Sequence, residues 1–128
     1  MIILLDTSAP LCKLTLVDGD MRIEAEWQAD RTLAKGLLGY IQTQLIAQGK
    51  AWQDVSGVGA FKGPGSFTGL RIGLTVLNTV ADALGIPIIG ATGDDWQKNV
   101  LLRLAASEDD KIVLPEYGSE AHITKPRK

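Results

Sequence analysis

The sequence predicts an α/β domain, a mixed β-sheet flanked by helices, and three observations point there. Two runs of alternating apolar and polar residues straddle Asp18-Gly19-Asp20, the pattern of a β-hairpin. Ile2–Leu5 and Val55–Phe61 are short continuous apolar runs, the mark of strands buried on both faces. Between the later apolar runs lie stretches with a period of about 3.6, and parallel neighbours in a sheet need such helical crossovers.

The elements follow in order. Ile2–Leu5 is a strand that ends in the turn formers Asp6-Thr7-Ser8 and Pro10. In the next stretch Cys12, Leu14 and Leu16 share one face and Leu11, Lys13, Thr15 and Val17 the other. Beyond the turn, Met21, Ile23, Ala25 and Trp27 alternate with Arg22, Glu24, Glu26 and Gln28. From Arg31 to Gln48 the period becomes helical, with Asp30 as the expected N-cap and Gly49 as the stop. Val55–Phe61 is the next strand, and Lys62-Gly63-Pro64-Gly65-Ser66-Phe67-Thr68-Gly69 is a loop. A helix is expected from Gly69 to Leu84, ended by Gly85 and Pro87. Ile86–Ile89 is a short strand, Asp94–Ala105 a third helix with Thr92 as its cap, and Ile112–Leu114 a last strand. Residues 1–114 therefore form the predicted lobe, and 115–128 a tail or surface strap.

Composition limits the function. The 128 residues carry 13 Lys and Arg against 15 Asp and Glu, a formal charge of -2, so no basic excess exists to neutralise phosphates. The single cysteine cannot form an internal disulfide, which suits a reducing, cytoplasmic setting. The opening apolar run is stopped by Asp6 and lacks a basic start, so neither a signal peptide nor a membrane segment is expected. Nucleophilic catalysis needs an imidazole beside its Ser or Cys, and the only one is His122, in the tail. One His and one Cys make a zinc site a poor expectation. Asp94-Asp95 and Asp109-Asp110 read as capping and solvating pairs.

The loop after the second apolar run is the sharpest local feature. It is not a Walker A loop, because Lys62 precedes the glycines, nor a dinucleotide fingerprint, because Thr68 stands where the third glycine belongs. Two readings stay open. Gly63, Gly65, Ser66, Thr68, Gly69 and Arg71 would hold an anion or nucleotide at the start of the next helix, where free N–H groups favour negative charge. Alternatively, Pro64-Gly65 forms a type II turn that redirects the chain and binds nothing. Asp6-Thr7-Ser8 likewise reads as a turn held by its own side chains.

The helix from Gly69 carries an apolar arc of about 200°, against roughly 100° for a helix lying on a core. Leu70, Gly73, Leu74, Leu77 and Val80 lie in that arc, and Gly69 and Gly73 would admit another backbone closely. The preceding helix has no charged residue between Lys35 and Lys50 and presents Leu33, Leu37, Tyr40 and Ile41. Burial within the domain would account for both helices. A pairing surface of two wide-faced helices, open to self-association, would do so as well.

Ile3-Leu4-Leu5-Asp6-Thr7-Ser8, Gly63-Pro64-Gly65-Ser66-Phe67-Thr68-Gly69-Leu70-Arg71-Ile72-Gly73 and Ala83-Leu84-Gly85-Ile86-Pro87 together resemble the TsaB (YeaZ) family over roughly residues 1–92. The resemblance implies an actin-like (ASKHA) lobe acting in synthesis of threonylcarbamoyladenosine on tRNA. It also implies a non-catalytic subunit without a cofactor or metal, docking a TsaD-like subunit through the two helices above. The expected interface is thus Leu33, Leu37, Tyr40, Ile41, Leu70, Gly73, Leu74, Leu77 and Val80. A TsaE-like ATPase is a further implied partner, a homodimer is expected in isolation, and tRNA is met only through the complex. Family members usually add a second lobe, which this chain is expected to lack, so that it needs a partner to close a nucleotide cleft. Where members carry His-Ser-Glu early in the first helix and Pro soon after, this chain has Leu33-Ala34-Lys35 and Gly39. The contrasting readings are a peptidase or nucleotide hydrolase of the actin-like superfamily, or a regulatory homodimer.

Overall fold

A computed structural model describes residues 1–117; His122 and the basic residues 125–128 lie outside the described residues. The elements are β1 (Ile2–Asp6), β2 (Leu11–Asp18), β3 (Met21–Gln28), α1 (Leu33–Ala47), β4 (Gly57–Phe61), α2 (Phe67–Leu84), β5 (Ile88–Ala91) and α3 (Trp96–Ala105). They form one mixed five-stranded sheet in the order β3-β2-β1-β4-β5. The β1–β2–β3 part is antiparallel, with the two-residue connection Gly19-Asp20 between the paired Asp18 and Met21. β1, β4 and β5 are parallel neighbours, and helical connections lead into β4 and β5 as parallel pairing demands.

Alternation along the strands divides the core between the two faces. Ile3 and Leu5 of β1 join Cys12, Leu14 and Leu16 of β2 and Val58 and Ala60 of β4 in the layer that α1 and α2 cover. Leu4, Val17 and Ile89 face the other way and meet Trp96 and Val100 of α3. There α3 lies close because β4 is bare: a Cβ on Gly59 would stand 3.0 Å from Leu4 Cδ2 and 3.2 Å from Val100 Cβ. Phe61 packs edge-on against Trp96 beside it, with ring centroids 5.9 Å apart.

The helix ends show which sequence signals carried weight. Both α1 and α2 close on a left-handed glycine, Gly49 (φ 69°) and Gly85 (φ 67°). In each case the next residue donates back five positions, Lys50 N–H to Leu45 and Ile86 N–H to Ala81, which is a Schellman closure. The N-termini differ from expectation. Asp30 does not cap α1: it sits in a 3-10 turn with φ 48°, and its carboxylate accepts from Gln28 Nε2 at 2.9 Å. Helix α2 starts two residues early because the Ser66 hydroxyl accepts from Gly69 N–H at 3.2 Å. Thr92 does not cap α3, which begins at Trp96 after a turn closed by Trp96 N–H on Gly93. β5 begins at Ile88, since Ile86 is held by the closure of α2.

Ile112–Leu114 is not a strand. Its place beside the sheet is taken by side chains: Asn78 of α2 donates Nδ2 to Val113 C=O and accepts from Val113 N–H, both at 2.9 Å. Just before it, Asp109 and Asp110 close the outer edge of β5. Ile88 N–H donates to Asp109 Oδ1 at 3.1 Å, Gly90 N–H to Asp110 Oδ2 at 2.9 Å, and Asp110 N–H to Ile88 C=O at 2.9 Å. Arg103 of α3 grips both oxygens of Asp110.

Both carboxyl groups titrate below the ordinary 3.8. For Asp109 the N–H groups of Lys111 and Ile88 are the cause. For Asp110 burial pulls upward, and the Arg103 guanidinium and Gly90 N–H outweigh it. A depressed folded pKa adds stability above the unfolded value, which is lost as pH falls through the lower folded one. The closure should therefore weaken below about pH 4. With the partners partly exposed, Asp110→Asn should cost about 1 kcal/mol near neutrality and flatten the acid limb of a urea-unfolding series. An acid limb identical to wild type would refute this. Gly59→Val, which forces β4 and α3 apart, should cost about 3 kcal/mol in the same assay.

Candidate functional site

The predicted site residues gather where β1, β4 and α2 meet. The turn after β1 is held by its own side chains, as the sequence suggested: Asp6 Oδ1 accepts from Ser8 N–H at 2.9 Å and from Ser8 Oγ at 2.6 Å. Between them Thr7 points into α2. It is buried, and its Oγ1 donates to Gly69 C=O at 2.7 Å. Glycine is needed there for space. A Cβ on Gly69 would fall on the Thr7 carbonyl, and one on Gly73 would stand 2.9 Å from Thr7 Cγ2 and 3.0 Å from Thr7 Cβ.

The glycine loop is shaped by the same crowding. It is not a type II turn, which needs positive φ at Gly65; the positive φ is at Gly63 (127°), and the Gly63–Pro64 bond is cis. A Cβ on Gly65 would stand 2.8 Å from the Ser8 carbonyl oxygen, and one on Gly63 would strike the Glu116 carbonyl. Ser66 N–H donates to Ser8 C=O at 2.8 Å, and Gly69 N–H is taken by the Ser66 hydroxyl. Arg71 lies over the Phe67 ring, 5.4 Å from its centroid. Thr68 is exposed and, with Ser66, Gly69, Arg31 and Ile72, lines an open cleft of ≈ 510 Å³ between α1 and α2. The six loop residues are therefore neighbours, but several of their polar groups are already engaged within the chain.

Of the expected interface residues most are buried within the chain, and Val80 also lines an open groove. Leu33, Leu37 and Ile41 of α1 and Leu70, Gly73, Leu74, Leu77 and Val80 of α2 are buried in the chain's own core. Tyr40 is half-buried, stacked on Trp27 with ring centroids 4.8 Å apart, and its hydroxyl has no protein partner among the described residues. Sheet and neighbouring helix together fill the wide apolar arc. What α1 and α2 leave at the surface is a second stripe. Leu38 (51% exposed), Trp52, Thr75, Val76, Thr79 and Ala83 line an apolar groove of ≈ 420 Å³ that bears no charged side chain. Helical periodicity alone could have separated these rows, since Leu33, Leu37, Ile41 and Leu45 repeat at four residues and leave Leu38 outside.

Two further groups bear on chemistry. Burial, then the charge of Asp6, pushes the Cys12 thiol up to about 11, so it stays protonated and a poor nucleophile near neutrality. Among the described residues, no three His, Cys, Asp or Glu side chains converge as metal ligands. No described helix is long and apolar enough to cross a membrane.

Comparison with known proteins agrees with this fold. The family model described as TsaD, tRNA N6-adenosine threonylcarbamoyltransferase, matches residues 27–92, just over half of the chain. A curated Escherichia coli protein named tRNA threonylcarbamoyladenosine biosynthesis protein TsaB is 28% identical over 118 residues, 87% of this chain and 51% of that protein. The Haemophilus influenzae protein of the same name is 32% identical over 85 residues, 66% of this chain and 36% of that protein. Among solved structures, YeaZ from Pseudomonas aeruginosa superposes with a TM-score of 0.67 at 30% identity, covering 71% of this chain and 43% of that one. The chain thus spans about half or less of the relatives it matches.

The Thr7 contact should be sensitive to one methyl group. Gly73→Ala pushes Thr7 out of its notch, and the melting temperature should fall by an amount equivalent to about 2 kcal/mol. Thr7→Ser, which keeps the hydroxyl, should cost less than Thr7→Val, which leaves the Gly69 carbonyl without its donor. The reverse order in thermal denaturation would refute the assignment.

Proposed function

The chain belongs to the TsaB (YeaZ) family, within the wider group of TsaD-type actin-like domains, and we propose that it serves tRNA N6-threonylcarbamoyladenosine synthesis as a non-catalytic subunit that binds a TsaD-like subunit. One observation carries this reading: the uncharged groove between Leu38 of α1 and Thr79 and Ala83 of α2. A groove of this composition gains from covering, because no ion must lose its water when a partner helix enters it. A TsaD-like partner shares the domain type and so presents a comparable helix pair, which allows the two to meet face to face as related halves.

The other assignments follow from that pairing. The same face joins two copies of this chain when the partner is lacking. A TsaE-like ATPase acts on the assembled pair, and tRNA is engaged through the complex, since a chain of net charge -2 offers no phosphate-binding excess of its own. Catalysis rests with the partner, in the cytoplasm. The protonated Cys12 and the internally engaged loop support the non-catalytic role.

Co-expression with a TsaD-like protein followed by gel filtration tests the reading. The wild-type chain should co-elute, and Leu38→Asp or Ala83→Arg, both at exposed positions, should weaken the complex about 100-fold without unfolding the chain. Leu74→Asp, by contrast, should unfold it. A wild-type chain that does not co-elute, or a complex indifferent to both surface substitutions, would sink the proposal. Hydrolysis of a peptide or ATP by the isolated chain would establish the enzymatic reading instead.

A further inference from the structure

The segment that follows α3 lies in a trough that holds its main chain. The trough runs from the outer edge of β5, past Asn78 on α2, to the glycine loop. Its contacts are of two kinds. Backbone is read at Ile88 C=O by Asp110 N–H, at Val113 by both ends of the Asn78 amide, and at Lys62 C=O by Glu116 N–H at 2.7 Å. Side chains are seated at Val113, which is buried, and at Tyr117, whose ring lies on Phe67 with centroids 4.4 Å apart.

The floor has the shape of its occupant. A Cβ on Gly90 would stand 3.1 Å from Val113 Cγ2, and one on Gly63 would strike the Glu116 carbonyl. Two absent side chains thus open the seats for Val113 and Glu116. An amide that both donates to and accepts from the main chain of one residue reads backbone and tolerates side chains outside, where Ile112 and Leu114 stand 64% and 71% exposed. Two non-glycine residues in the left-handed region, Ser107 (φ 61°) and Lys111 (φ 69°), flank Asp109-Asp110, one before the segment and one within it.

We propose that this trough is a binding site for a peptide segment, which the chain fills with its own residues 109–117 and which takes the same segment from a second copy of the chain. The recognised pattern is an acidic pair followed by a buried aliphatic residue and, four positions on, an aromatic ring. Covalent attachment favours the internal occupant, because a tethered segment acts at a high effective concentration. Exchange therefore requires the internal segment to be weakened. The inference goes beyond the partner reading above and uses none of the α1–α2 groove.

The test uses the full chain and a fluorescent synthetic peptide of residues 109–117, followed by anisotropy. Val113→Asp in the chain removes the internal anchor, and that variant should bind the peptide at least about tenfold more tightly than wild type. Adding Asn78→Ala should abolish the gain. Glu116→Pro, which removes the N–H that reaches Lys62 and leaves the Val113 anchor in place, provides a gentler release and should show a smaller gain in the same direction. Circular dichroism reports which variants are folded. Folded variants that bind no better than wild type would overturn the proposal, and so would binding that survives Asn78→Ala.

Discussion

A buried threonine seated in a notch of α2 fixes the rest of this molecule. Thr7 ends the central strand of the sheet, and its hydroxyl reaches the Gly69 carbonyl across the first turn of the longest helix. The contact needs both partners as they are. Any side chain on Gly69 or Gly73 would occupy the volume of Thr7, and any apolar replacement of Thr7 would remove the bond that its hydroxyl adds to the helical carbonyl of Gly69. Once β1 and α2 are locked at this distance, the connection from β4 must pass through a narrow gap beside Ser8. That explains the bare backbone at Gly65, while at Gly63 the room is taken by the Glu116 carbonyl.

This lock also decides what the glycine loop can do. A loop whose glycines make room for a ligand keeps its N–H groups pointing outward. Here Ser66 N–H and Gly69 N–H point inward, to Ser8 and to the Ser66 hydroxyl, and Arg71 rests on an aromatic ring. The loop ties the end of β1 to the start of α2. The apolar groove lies elsewhere, on the side of α1 and α2 away from the sheet.

Strands, hairpin and the ends of α1 and α2 were legible in the residues because each rests on a short-range rule. The alternation at Cys12, Leu14 and Leu16 and the left-handed glycines at 49 and 85 need only their neighbours in sequence. What failed depended on distant groups. Asp30 and Thr92 carry capping side chains, but chain direction at each site was set by packing, and neither caps. Ile112–Leu114 has strand composition, yet Asn78, 35 positions away, supplies the hydrogen bonds a neighbouring strand would have made. Most of the expected interface residues are buried within the chain for a related reason. A wide apolar arc measures how much of a helix is covered, and sequence cannot say whether sheet, sister helix or another molecule does the covering. In this fold the first two account for Leu70, Leu74 and Leu77, leaving Leu38 and Ala83 to face outward with Val80 at the groove between them.

The closing of the β5 edge by Asp109 and Asp110 has an effect on how copies of the chain can associate. A sheet with two free edges can add strands without end, which is the geometry of a fibre. Among the described residues, one margin is sealed by carboxylates and the β3 margin is left, where Glu24 and Glu26 stand on the terminal strand. Joining two molecules edge to edge at β3 would use up the margin left on each. Growth through the described strands would then terminate at two.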